Sequence, residues 1–148
     1  MTPFSLRASR AGDRRALALV YQAAFSGEGP WTLRAAEARV AQVLKSKQPA
    51  WTACVYGQPV GFLFLSLREG HSGPYGEVTE LAVHPYFQGQ GIGRKLVRVA
   101  RTSRWGRKLK TLYGLVYHGP AEGFLRQNGF KPSRRAVVMS LHGSRGKK

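Results

Sequence analysis

From Leu81 to Leu96 the chain reads Leu-Ala-Val-His-Pro-Tyr-Phe-Gln-Gly-Gln-Gly-Ile-Gly-Arg-Lys-Leu, an apolar strand entering a three-glycine turn that opens onto a helix. Such a junction is built to hold phosphate. Gly89, Gly91 and Gly93 remove side chains that would keep an anion at a distance. The turn amides and the helix N-terminus supply unpaired N–H donors and the positive end of the helix dipole. Arg94 and Lys95 add full charges at the same place.

Two common phosphate motifs fail on spacing. A dinucleotide fingerprint requires a third glycine where Arg94 stands, and an acid about 20 positions later, where none occurs. A Walker loop requires Gly-Lys-Ser/Thr, whereas Gly93 is followed by Arg94-Lys95-Leu96. What remains is Gln-x-x-Gly-x-Gly over Gln88 to Gly93, behind Leu-x-Val-x-Pro over Leu81 to Pro85. This pattern resembles the acyl-CoA signature of the GNAT superfamily of N-acetyltransferases. The alternative is an ordinary glycine-rich strand-to-helix turn.

A chain of 148 residues is long enough to bury a core without disulfides or metals. The single cysteine, Cys54, lies in the apolar Trp51 to Tyr56 run and reads as a buried, inert thiol. No stretch reaches membrane-spanning length and no apolar signal run opens the chain, so the expected location is cytoplasmic, with no membrane contact. No Cys/His cluster has ligand spacing, and no metal is expected.

The net charge of +17 is unevenly spread. Residues 1–80 carry nine Lys/Arg against six acids; residues 81–148 carry fifteen against Glu122 alone, a surplus of +14. The positive half contains the glycine turn. Such a field suits a polyanionic cofactor, yet exceeds what one CoA needs, so nucleic acid or the ribosome is a second candidate partner. A compositional bias toward arginine explains the surplus equally well.

The rest of the chain reads as one alternating α/β unit over residues 1–141 with a basic, loose tail over 142–148. Phe4 to Ala8 is a short strand, and Asp13 caps a helix facing inward with Leu17, Val20, Tyr21 and Ala24. Thr32 caps a second helix with Leu33, Ala36, Val40, Val43 and Leu44 on its apolar side. Trp51 to Tyr56 and Val60 to Leu67 form a hairpin about Gly57-Gln58-Pro59; a Gly70 to Gly76 loop then leads to a strand over Glu77 to His84. Ile92, Leu96, Val99 and Ala100 are the buried stripe of the third helix, opposite a basic rail of Arg94, Arg98 and Arg101 continued by Lys108. A strand over Leu109 to Tyr117, a helix from Gly119-Pro120 to Gly129 and a strand over Ala136 to Leu141 complete the order.

The order β-α-α-β-β-β-α-β-α-β is similar to the GNAT fold, and the likeness extends to Leu6-Arg7-Ala8 with Asp13 and to Ala121-x-x-Phe124-Leu125-x-x-x-Gly129-Phe130. The resemblance implies an α/β (α+β) fold: a mixed, mostly antiparallel sheet with a splayed central strand pair, flanked by about four helices. It implies that acetyl-CoA is the cosubstrate and a primary amine the acceptor. Main-chain groups of Leu81, Ala82 and Val83 would meet the pantetheine arm. Amides over Gln88, Gly89, Gln90, Gly91, Ile92, Gly93 and Arg94 would hold the pyrophosphate. Lys95 or Arg98 would reach outlying phosphate, and Phe124 would pack beside the thiol.

Two departures stand out. Leu125 replaces the tyrosine that commonly protonates the departing thiolate in the family, and the short stretch after Phe130 leaves little room for the family's terminal hairpin. A second subunit could then complete the pocket, so the chain is read as a monomer or homodimer.

An ammonium cannot attack a thioester until it loses a proton, so a carboxylate base is required. Glu80, which directly precedes Leu81, is the favoured base and Glu77 the second candidate. Simple alternation puts the two on opposite faces, although a bulge would reset that parity. Tyr117, His118 and water are the candidates for protonating the thiolate. Glu28, Glu37 and Glu69 join Glu77 and Glu80 on the expected acceptor side, where Trp31 is a candidate wall. The competing reading is a CoA-binding or RNA-associated basic module with little or no catalysis.

Overall fold

The computed structural model describes residues 2–28, 31–115, 119–133 and 139–141. They belong to two compact units, Met1–Tyr117 and His118–Lys148. In the first, β1 (Ser5–Ala8), β2 (Ala50–Val55), β3 (Gln58–Gly70), β4 (Gly73–Val83) and β5 (Thr111–Tyr113) form one five-stranded sheet in sequential order. Neighbours are antiparallel until β5, which lies parallel to β4 and therefore needs a crossover. That crossover is α3 (Ile92–Thr102). The expected mixed, mostly antiparallel sheet is present, and no described helix is long and apolar enough to cross a membrane.

Between β1 and β2 run α1 (Arg14–Ala24) and α2 (Leu33–Lys45). Helix α2 starts where Thr32 Oγ1 accepts the Ala35 N–H at 3.1 Å, the cap expected from the sequence. Its Ala36, Val40 and Val43 join Leu17, Ala18, Val20 and Tyr21 of α1 over Phe62, Phe64 and Ala82 of the sheet. Because β3 side chains alternate, Leu63 and Leu65 point to the other face, where α3 buries Ile92, Leu96, Val97 and Ala100. Val97 takes the buried place expected for Val99. Cys54 is buried, as its apolar run suggested.

Two hairpins are tighter than their sequences suggest. The first turns on Tyr56 and Gly57, both left-handed (φ 48° and 78°), with Gln58 already paired to Val55. That two-residue geometry matches strand twist, and Pro59 is tolerated because a register shift there relieves the ladder. The second turns on His71 and Ser72; the expected Gly70 to Gly76 loop is paired strand, with Gly70 opposite Gly73.

Asp13 does more than mark a helix start. Its carboxylate accepts from both terminal nitrogens of the Arg7 guanidinium at 2.7 Å and from the Arg10 N–H at 2.9 Å, and Thr52 Oγ1 lies 3.3 Å away. No side-chain cap bond to α1 is made, so the expected capping role becomes a tie between β1, β2 and the helix approach. Burial pushes the Asp13 carboxyl up, but the Arg7, Arg10 and Thr52 donors outweigh it and leave the group below its ordinary value. A depressed folded-state pKa gives stability that is complete above the unfolded value, near about 4, and lost as pH falls through the folded one. Asp13→Asn should therefore cost about 2 kcal/mol at neutral pH, and its melting temperature should converge on that of the wild type as both are acidified. A constant gap across that range would contradict the assignment.

The second unit contains α4 (Gly119–Gln127), which carries Phe124 and Leu125. Gly129 ends it with φ 88°, and the Phe130 N–H returns to the Leu125 carbonyl at 3.0 Å. Of the expected last strand, Ala136 to Val138 lie outside the described residues, and Met139 to Leu141 are not in a strand. The tail over 142–148 also lies outside them.

Candidate functional site

The glycine turn has the expected geometry. Gly89 and Gly91 are left-handed (φ 78° and 86°), and nothing lies within 4 Å of a Cβ built on either, so the turn is open where a ligand would approach. Gly91 is the N-cap of α3, and the first bond of the helix runs from the Lys95 N–H to the Gly91 carbonyl at 3.1 Å. The N–H groups of Ile92, Gly93 and Arg94, ahead of that bond, have no intrahelical acceptor. Arg94 and Lys95 are exposed beside them. Gln90 Oε1 is buried without a hydrogen-bond partner among the described residues, an atom that a ligand hydroxyl or amino group would satisfy. Gln88 has a different part: its Nε2 donates to the Val83 carbonyl at 2.9 Å and its N–H leans to Pro85 at 3.4 Å, closing the turn from behind. His84 accepts the Tyr86 N–H at 3.1 Å and fixes the chain entering the turn.

Among the described residues, strand β4 reaches this turn with one edge unpaired. Its parallel pairing with β5 runs from Tyr75/Thr111 to Glu77/Tyr113, beyond which the described residues of β5 no longer follow it. The His84 N–H donates to Val60 on β3. Alternation then turns the main-chain groups of Ala82 toward β3 and those of Leu81 and Val83 toward the open edge. Of the three residues expected to meet a pantetheine arm, Leu81 turns its N–H and carbonyl and Val83 its N–H to that side without a partner among the described residues, the Val83 carbonyl being taken by Gln88, while the Ala82 side chain packs under α1 and α2.

Glu77 and Glu80 share a face. Phe64 pairs with Glu80 and Leu65 with Val78, so Thr79 is an extra residue, and its hydroxyl donates to the Phe64 carbonyl at 3.2 Å. This bulge shifts the alternation by one, and both carboxylates point toward the α1/α2 side. Their surroundings differ. Glu80, whose side chain is 11% exposed, takes Arg39 Nε at 2.8 Å and Nη2 at 2.5 Å, together with the Tyr21 hydroxyl at 2.7 Å. Hydrogen bonding to Glu80 raises the Arg39 guanidinium above its ordinary value. Glu77, 17% exposed, stands on the last β4/β5 rung and holds the Tyr113 hydroxyl at 3.2 Å, with Arg68 at 3.5 Å. Burial first, then the Glu77 charge and hydrogen bond, raise the Tyr113 phenol, which keeps its proton at neutral pH.

Other candidates are dispersed. Glu37 pairs with Arg15 at 2.9 Å, and Glu69 lies on the α3 face with Leu67, away from Glu77. Trp31 is half-buried, packing against the core with its ring at 4.8 Å and roughly perpendicular to Tyr21. Tyr117 and His118 lie outside the described residues, and Phe124 is on α4 of the second unit. Sequence reasoning missed Arg39, Tyr21 and Tyr113. Arg39 looks like a solvent-facing helix residue, and only the register of β4 under α2 reveals its partner.

A family model described as an acetyltransferase (GNAT) domain matches residues 46–132, more than half of the chain. No curated protein matches significantly. Among solved structures, the aminoglycoside N-acetyltransferase AAC(6')-Iy in complex with CoA aligns over 97% of both chains at 16% identity with a TM-score of 0.77. A ribosomal-protein-alanine N-acetyltransferase from Brucella melitensis biovar Abortus 2308 covers 95% of this chain and 100% of its own at 17% identity, TM-score 0.78. The aminoglycoside acetyltransferase meta-AAC0020, from an uncultured soil metagenomic sample and in complex with sisomicin, covers 94% and 95% at 17% identity, TM-score 0.73. The strand, glycine turn and helix all fall within the matched family region, and the chain belongs to the GNAT family of acetyltransferases, whose fold serves acyl-CoA-dependent acetyl transfer.

Proposed function

We propose that the protein is an N-acetyltransferase that moves acetyl from acetyl-CoA to a primary amine by direct attack on the thioester. The observation that carries this reading is the β4 edge at Leu81 and the Val83 N–H, unpaired among the described residues, which joins the glycine turn to Glu77 in one continuous strip. The cosubstrate supplies an activated acetyl group. The amides of Ile92, Gly93 and Arg94 hold its phosphates at the helix N-terminus, with Lys95 as a neighbouring charge. The Leu81 and Val83 main chain lines up the arm, and an N–H on that edge stabilises the negative charge developing on the acetyl oxygen.

Glu77 is the preferred base in this reading, and Glu80 the positioning residue. Glu80 has both oxygens engaged by Arg39 and Tyr21, so taking up a proton there would break the ion pair that ties α2 to β4. Glu77 has one firm partner, Tyr113, and lies where the strands part, so it can take the amine proton through water. The same Tyr113 hydroxyl is a proton donor at the mouth of the gap, a candidate for the thiolate's acid alongside Tyr117.

Aminoglycosides, polyamines and peptides with the sequences of ribosomal-protein N-termini form the acceptor panel, since aminoglycoside and ribosomal-protein acetyltransferases share this fold. The full chain with acetyl-CoA should release free thiol in an amine-dependent way, and mass spectrometry should find one acetyl added to the amine. CoA binding with no amine-dependent thiol release across the panel would favour the non-catalytic module instead.

A further inference from the structure

Between Glu80 and Glu122 the chain has no acid, and residues 94–110 alone hold five arginines and three lysines. All eight are exposed, and none is paired with a carboxylate among the described residues. Arg94, Arg98 and Arg101 recur along one face of α3, about 6 and 4.5 Å apart along its axis. Arg104 and the 3₁₀ turn at Gly106–Lys108 extend the track beyond the helix end. Like charges so concentrated repel one another, and a polyanion relieves them while releasing its counterions.

The surroundings favour one kind of polyanion. No large hydrophobic side chain is exposed between residues 92 and 110, so the surface has nothing to insert into a bilayer. Beside the track is a cleft of about 300 Å³, lined by Leu67, Pro74, Trp105 and Leu109, with Arg68, Glu69 and Lys108 also in its wall. The Trp105 indole is held edge-on to Trp51 at 6.0 Å and lies under the Arg104 guanidinium at 4.4 Å. A partly apolar cleft with an indole in its wall, beside an arginine track, suits an unstacked base with its phosphates, and Glu69 and Lys108 offer an acceptor and a donor to the base edge. We propose that the α3 face and this cleft bind single-stranded nucleic acid, with phosphates along Arg98 to Lys108 and one base in the cleft. The surface lies on the sheet face opposite Glu77 and Glu80, and the proposal stands without acetyl transfer.

The test is fluorescence anisotropy of the full chain with short labelled RNA and DNA strands of mixed sequence and the matching duplexes. Titrations run between about 50 and 200 mM salt, the range over which phosphate contacts lose most affinity. Removing three charges as Arg101→Gln, Arg107→Gln and Lys108→Gln should weaken single-strand binding about tenfold or more and reduce the log–log salt slope by about 2. Removing three from the other face, as Arg14→Gln, Arg34→Gln and Lys45→Gln, should leave the slope unchanged. CoA affinity should be the same in both variants. Trp105→Phe should weaken single strands without changing the slope; if that variant does not fold, quenching of wild-type tryptophan fluorescence by single strands reports the same contact. RNA and DNA arms show whether the 2′-hydroxyl is read. Equal losses in both triple variants, duplex bound more tightly than single strand, or displacement by anionic lipid vesicles at matched charge would overturn the proposal.

Discussion

Gly91→Val should weaken CoA binding at least about 100-fold by calorimetry, on the order of 3 kcal/mol, and leave the fold intact. A Cβ at position 91 meets nothing within 4 Å, so no packing is disturbed in the free protein. The residue nevertheless holds φ 86° as the N-cap of α3. A side chain there costs about 1–2 kcal/mol in the left-handed region, and more when β-branched, and it projects into the space the phosphates need. The circular dichroism spectrum should be preserved with a modest drop in melting temperature. Unchanged affinity would remove the glycine turn from the donor site.

Glu77→Gln should lower kcat by about 10²–10⁴ and flatten the rising limb of its pH profile, the loss expected when a general base is neutralised. Glu80→Gln should behave differently. It keeps the shape of the side chain and removes the charge facing Arg39, so the expected cost is about 1–2 kcal/mol of stability, with the rising limb retained. Arg39→Gln should reproduce that phenotype, because the same pair is broken from the other side. Tyr113→Phe should leave KM for acetyl-CoA nearly unchanged while lowering kcat. The reverse outcome, a flattened limb in Glu80→Gln and a normal one in Glu77→Gln, would return the base to Glu80 and make Glu77 a strand carboxylate.

The glycine turn was legible because its demands are local. Positive φ at Gly89 and Gly91, a strand before and an amphipathic helix after are all written within sixteen consecutive residues. The Thr32 cap and the apolar faces of α1 and α2 were readable for the same reason. What the sequence concealed depends on register. A single extra residue, Thr79, moves Glu77 onto the face of Glu80, and strict alternation gives the opposite answer. Glycines at 70, 73 and 76 suggest a loop, yet they are paired strand positions, and at Gly76 a Cβ would come within 2.7 Å of Leu109. The Arg39–Glu80 pair joins residues 41 positions apart. Nothing in the local pattern of α2 separates Arg39 from the solvent-facing arginines, so only tertiary packing could reveal it.

If the protein works as proposed, one continuous strip, the β4 edge left unpaired among the described residues and the N-terminus of α3, receives the acyl-CoA. Backbone amide resonances of the ¹⁵N-labelled protein, followed by NMR during titration with CoA, address it residue by residue. Saturable shifts are expected to concentrate at Leu81 and Val83 and at Gly89 to Arg94, with the amide of Ala82, which pairs toward β3, moving less. Shifts confined to Arg98 to Lys110, or none at the glycine turn under saturating CoA, would contradict it.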